Sequence, residues 1–263
     1  MSTSVDSGPN SRARVGERIA SQQVIWNWPV IMLFSRLALF AFWQAILALI
    51  FAVLGWASPW NASIAWWPVS AILSNLVSLL LLIGLARQEG MSYFDYLNFE
   101  RRTLWRDLLI SLGILVISAP LAYIPNVALA QALFGDPQQT FELMFHSLPL
   151  WAAYLSLVLF PISIALAELP TYFGYTMPRL AVLTGRGWAA VSLAALFLSL
   201  QHTTLPLIFD WRFILWRAVM FLPFALLVAI ALYWRPRLLA FLMIGHGLID
   251  LQVGLIILTE SSR

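Results

Sequence analysis

The chain contains no cysteine and no lysine. Without cysteine there are no disulfides, thiolate nucleophiles, iron–sulfur clusters or Cys-x-x-Cys metal sites. Without lysine there is no Walker A phosphate loop and no Schiff-base chemistry. Charge is scarce too: 10% of the 263 residues are charged, against roughly 25% in a soluble domain. What fills the chain is apolar, 61% hydrophobic with 13 Trp and 17 Phe and a mean hydropathy of +0.84. That is more apolar surface than one globular core of this length can hide. The expected fold class is an all-α, polytopic membrane helix bundle, because only intra-segment hydrogen bonding satisfies a backbone in lipid without closing a barrel. The 15 basic residues, all Arg, are spread singly between apolar runs and build no stripe, so membrane lipid is the expected partner and nucleic acid is not.

Apolar stretches of about 20 residues predict some seven helices, within a range of six to eight, near 30–56, 65–86, 108–130, 149–169, 187–209, 213–233 and 238–258. Residues 1–24 read as a polar cytoplasmic tail and 25–263 as a single transmembrane domain. Arg12, Arg14 and Arg18 precede the first span, and Arg87, Arg101, Arg102 and Arg106 lie between the second and third. Arg179 and Arg186 separate the fourth and fifth, and Arg235 and Arg237 the sixth and seventh. These regions share one side, so the positive-inside rule predicts a multi-pass protein of the cell membrane with its N-terminus cytoplasmic.

Ten of the 12 acidic residues fall in the tail, in loops or at segment ends. Glu168 and Asp250 do not, and His202 and His246 also lie inside apolar runs, which gives an expectation of four embedded ionisable groups. Each costs a few kcal/mol facing hydrocarbon, so the default is that they face inward and pair. At roughly 1.5 Å per helical residue, counted from the nearest cytoplasmic Arg, all four fall about 14–24 Å deep. His246 and Asp250 are at i and i+4, on one helix face. Singly, each has a structural reading as a hydrogen-bonded packing residue; jointly they suggest a site.

A carboxylate beside an imidazole can take a proton from water, and a second imidazole, oriented by Asp250, can donate to a developing oxyanion. Alternatively, His202, His246 and Glu168 could bind zinc with an open position, Asp250 supporting His246. Both routes lead to hydrolysis. No Ser-His-Asp arrangement, Gly-x-Ser-x-Gly or His-Glu-x-x-His motif is evident.

Three short stretches resemble the motifs of the CPBP intramembrane proteases, also called CAAX-protease or Abi membrane proteins. Glu168-Leu169-Pro170-Thr171-Tyr172-Phe173-Gly174 looks like the family's Glu-Glu-x-x-x-Arg followed by Gly. Leu198-Ser199-Leu200-Gln201-His202 looks like its second motif, and His246-Gly247-Leu248-Ile249-Asp250 like its His-x-x-x-Asn/Asp. Order and spacing fit over about residues 150–260. The resemblance implies that Glu168 and His202 activate water while His246 and Asp250 hold the oxyanion, on a peptide or prenylated-protein substrate. The family's second Glu is Leu169 here and its Arg is Phe173. Losing the Arg removes a cation that could hold the site's carboxylates ionised, and deleting both partners of a buried pair can be near neutral. The expected function is an intramembrane endopeptidase. Its rival is a non-catalytic scaffold or immunity protein that binds a hydrophobic peptide or prenyl group in the same cavity.

Overall fold

The structure, a computed structural model, describes residues 8–263; the first residues of the expected tail, Asp6 among them, lie outside the described residues. The order is α1 (Arg12–Ala20), α2 (Trp28–Val53), α3 (Pro59–Ile64), α4 (Trp67–Gln88), α5 (Leu104–Phe134) and α6 (Gln138–Met144), then α7 (Leu150–Leu169), α8 (Met177–Thr184), α9 (Gly187–Leu200), α10 (Trp211–Met220), α11 (Leu222–Trp234) and α12 (Leu239–Ser261). Among the described residues there is no strand, and six helical stretches are long and apolar enough to cross a membrane. The all-α polytopic bundle is therefore what this sequence builds.

The fifth expected span differs. The sequence predicts helix over 187–209, but α9 stops at Leu200. Pro206 has no N–H and disfavours helix in the residue before it, and Gln201-His202-Thr203-Thr204 precede it. The segment still runs from one end of the bundle to the other. Trp188 packs on Tyr233 and Trp234 at one end, while Phe209 stacks on Trp60 and Arg212 lies over Phe134 at the other.

Non-helical backbone at this depth is tolerated only where protein satisfies it, and here long polar side chains do so. Gln44 donates to the Leu207 carbonyl at 3.0 Å and accepts from its N–H at 2.7 Å. Arg217 donates to the carbonyls of His202 at 3.1 Å and Leu205 at 2.8 Å. The Thr204 hydroxyl bonds the Leu37 carbonyl at 3.0 Å.

The fourth span also departs from expectation. Helix does not end at 169; a π-helical turn over Pro170–Thr176 carries it into α8. Pro170 leaves the Leu166 carbonyl without its helical donor, and the Tyr93 hydroxyl donates to it at 2.6 Å. The tail is not free where it is described. Residues 12–20 form α1, with the Ser11 hydroxyl accepting from the Arg14 N–H and Val15 buried. The Asn10 side chain donates to the Gly174 carbonyl at 2.6 Å, so this strap lies over the π turn.

α12 packs most closely on α7, and two glycines allow it. A Cβ at Gly247 would lie 2.9 Å from both the Pro161 carbonyl oxygen and the Ala165 Cβ, and one at Gly254 would lie 3.0 Å from the Leu157 Cα. Small residues of this kind let membrane helices approach. Gly247→Ala is expected to push the helices apart and destabilise the protein by about 1–3 kcal/mol, read as a lower unfolding midpoint in detergent. An unchanged midpoint would mean that the α7–α12 contact relaxes without loss.

Candidate functional site

Glu168 occupies the last turn of α7 immediately before the π turn, a local distortion of a kind often found at functional positions. It is 1% exposed. Its Oε1 lies 2.9 Å from His246 Nε2 on α12. One helical turn on, Asp250 Oδ2 lies 3.4 Å from the same nitrogen, within ion-pair range but without a hydrogen bond. Three of the four expected residues thus meet directly, joining α7 to α12.

His202 is placed differently. It sits in the turn after α9, its ring 4.2 Å from that of Phe221, and its Nδ1 pairs with the Leu198 carbonyl at 2.9 Å. It makes no direct hydrogen bond to Glu168 or His246, its ring nitrogen being engaged by the backbone of its own turn. Phe224 of α11 stacks on His246, with centroids 6.3 Å apart, and closes that side.

Sequence reasoning missed a fifth embedded ionisable group. Arg36, in the third turn of α2, is fully buried, and its Nη2 approaches Glu168 Oε2 at 3.3 Å. Its Nε donates to Gln201 Oε1 at 2.6 Å, and the Tyr172 hydroxyl donates to the same oxygen at 3.4 Å. The signal for Arg36 was available: one cation inside a 26-residue apolar helix, the same anomaly that marks Glu168. Arg217 of α10 is likewise buried.

An isolated carboxylate in a low-dielectric interior is strongly disfavoured. Glu168 avoids that by holding a guanidinium on one oxygen and an imidazole on the other. The cluster Arg36–Glu168–His246–Asp250 draws on α2, α7 and α12, and Gln201 and His202 border it from the broken crossing. Chemically, it offers a buried carboxylate with remaining lone pairs, two imidazoles and a second carboxylate, with the His246 and Asp250 side chains each 13% exposed.

The zinc alternative finds no ligand set here. Among the described residues no three His, Asp or Glu side chains have the geometry to hold a metal ion. A guanidinium sits against Glu168, and His202 Nδ1 is turned to a backbone carbonyl.

Comparison of the chain with protein families, curated proteins and solved structures returns no match.

Proposed function

We propose that this chain is an intramembrane endopeptidase of the CPBP type, cleaving a peptide bond with water activated by Glu168 with the help of His202. The observation that carries the reading is the Glu168–His246 pair at 2.9 Å with Asp250 beside it: widely separated polar residues meet in one buried cluster. Arg36 supports it. In the resembling motif a cation stands where this chain has Phe173, and here the guanidinium on Glu168 comes from α2 instead. A carboxylate has about four acceptor sites, so Glu168 can still accept from water with both oxygens partnered.

The membrane is the cell membrane, and the end carrying α1 faces the cytoplasm. Contacts among Arg12 and Tyr233, Arg18 and Glu89, and Arg237 and Glu100 gather α1 and two connections, α4–α5 and α11–α12, at that end. The chain's other arginines there make it the basic end, as the positive-inside rule requires.

A second reading has its own observation. Both Glu168 oxygens are engaged, by His246 and Arg36, which suits a structural ion cluster in a non-catalytic scaffold that binds a hydrophobic peptide or prenyl group. The test uses the full chain in liposomes with a quenched peptide ending in a farnesylated cysteine and three further residues, and its unfarnesylated counterpart. The endopeptidase reading expects cleavage by the unaltered protein and a fall of about 10²-fold or more in Glu168→Gln and in His202→Ala, with insertion and extraction normal. Cleavage of neither peptide, or cleavage indifferent to both substitutions, would favour the scaffold.

A further inference from the structure

Hydrolysis by activated water needs donors for the oxygen that becomes negative, and the residues first expected to provide them are otherwise committed. His246 Nε2 is directed at Glu168 Oε1 at 2.9 Å, with Asp250 Oδ2 at 3.4 Å. Asp250, when ionised, only accepts hydrogen bonds and repels a growing negative charge.

Two other donor side chains lie close by, Arg36 on Glu168 itself and Gln201 on Arg36. Arg36 uses Nε on Gln201 and Nη2 on Glu168, and its Nη1 has no partner among the described residues. Gln201 uses Oε1 to accept from Arg36 and from Tyr172, and its Nε2 has none either. Both side chains are fully buried. The orientation of the amide follows from chemistry: Arg36 Nε can only donate, so the group facing it is the oxygen and the NH₂ is left free. Buried donors are nearly always paired, so two orphans on hydrogen-bonded side chains, one of them paired with Glu168, call for an acceptor supplied from elsewhere.

We propose that Arg36 Nη1 and Gln201 Nε2 are the oxyanion donors of this site, receiving the scissile carbonyl oxygen of a peptide substrate. The inference rests on the endopeptidase reading. Glu168 takes a proton from water as the water oxygen bonds the carbonyl carbon, and the C=O π pair moves onto oxygen, where the two donors hold it. Collapse re-forms C=O and breaks the C–N bond. The proton on Glu168 passes to the departing nitrogen, leaving a carboxylic acid and an amine. The guanidinium thus steadies Glu168 on one nitrogen and the transition state on another.

The experiment measures kcat and KM for the farnesylated peptide in liposomes with Gln201→Glu and Gln201→Leu. Gln201→Glu, when ionised, keeps an oxygen for Arg36 Nε and replaces the donor with an acceptor that carries negative charge, so it carries the test should Gln201→Leu fail to fold. Loss of an oxyanion donor is expected to lower kcat by about 10²-fold in each folded variant. KM should stay within about twofold, because the interaction forms only in the transition state. A kcat within about threefold of the unaltered protein in folded Gln201→Glu, or a change confined to KM, overturns the donor assignment and leaves the endopeptidase reading standing. Absence of cleavage by the unaltered protein removes that reading, and this inference with it.

Discussion

Replacing Arg36 with methionine is expected to destabilise the protein by about 3–5 kcal/mol, the usual cost of removing one partner from a buried ion pair. The guanidinium has no exposure to solvent and sits against a carboxylate that is 1% exposed. Methionine fills much the same volume, so the loss is electrostatic and falls on Glu168 and on Gln201, whose oxygen loses its strongest donor. The double variant Arg36→Met with Glu168→Gln removes the stranded charge and should recover most of that stability, since neutral replacement of both partners is often tolerated. It should recover none of the peptide cleavage proposed above. The coupling between the two positions, read from unfolding in detergent, is therefore expected to be large and non-additive. If the double variant is as unstable as Arg36→Met alone, Arg36 contributes through packing and its pairing with Glu168 has little weight.

The lipid-crossing architecture was legible because a 20-residue apolar run admits few other interpretations. The stretch read as 238–258 is helical from Leu239 to Ser261, and the one read as 149–169 begins at Leu150. Misreadings occurred where tertiary contacts override the hydropathy average. Helix continues past Pro170 because Tyr93 satisfies the carbonyl that proline leaves open. Helix ends at Leu200 because Gln44 and Arg217 can satisfy an irregular backbone that lipid could not. No window of residues 170–210 contains that information.

The site divides along the same line. Glu168, His246 and Asp250 stand out as costly polar groups in apolar runs, and i,i+4 spacing already places two of them together. Arg36 carried an equal signal, but counting arginines only in loops to orient the chain passes over one inside a span. Gln201 and Tyr172 bear no formal charge, and their roles exist only through the meeting of α2, the π turn and the broken crossing. His202 was legible as an embedded imidazole. Its turn toward the Leu198 carbonyl was not, because that depends on where α9 ends.

At the end of α4, Glu89→Ala should produce an effect as large as that of Arg36→Met. Glu89 closes α4 and is 4% exposed. It accepts from Arg179 Nε at 2.7 Å and also from Arg179 Nη2, and from Arg18 Nε at 3.0 Å. Arg179 is fully buried; it also donates to the Tyr175 carbonyl at 3.0 Å and to the Asn10 side chain at 3.1 Å, with its guanidinium 4.2 Å from the Tyr175 ring centroid. One carboxylate thus ties α1 and α8 to the end of α4. Removing it leaves two guanidiniums facing each other with little solvent, at a cost of about 3–5 kcal/mol. The weakest tether should yield first. α1 is short and polar, and isolated helices of this length are marginal in water, so local release of the strap precedes global unfolding. Trypsin, which cleaves after arginine, should then cut Glu89→Ala within residues 12–18 under conditions that leave the unaltered chain intact. Glu89→Gln, which keeps an acceptor but loses the charge, should fall between the two. Equal cutting of all three proteins would show that α1 is held by its contacts with Tyr233 and Gly174 and that the Glu89 clamp serves α8 alone.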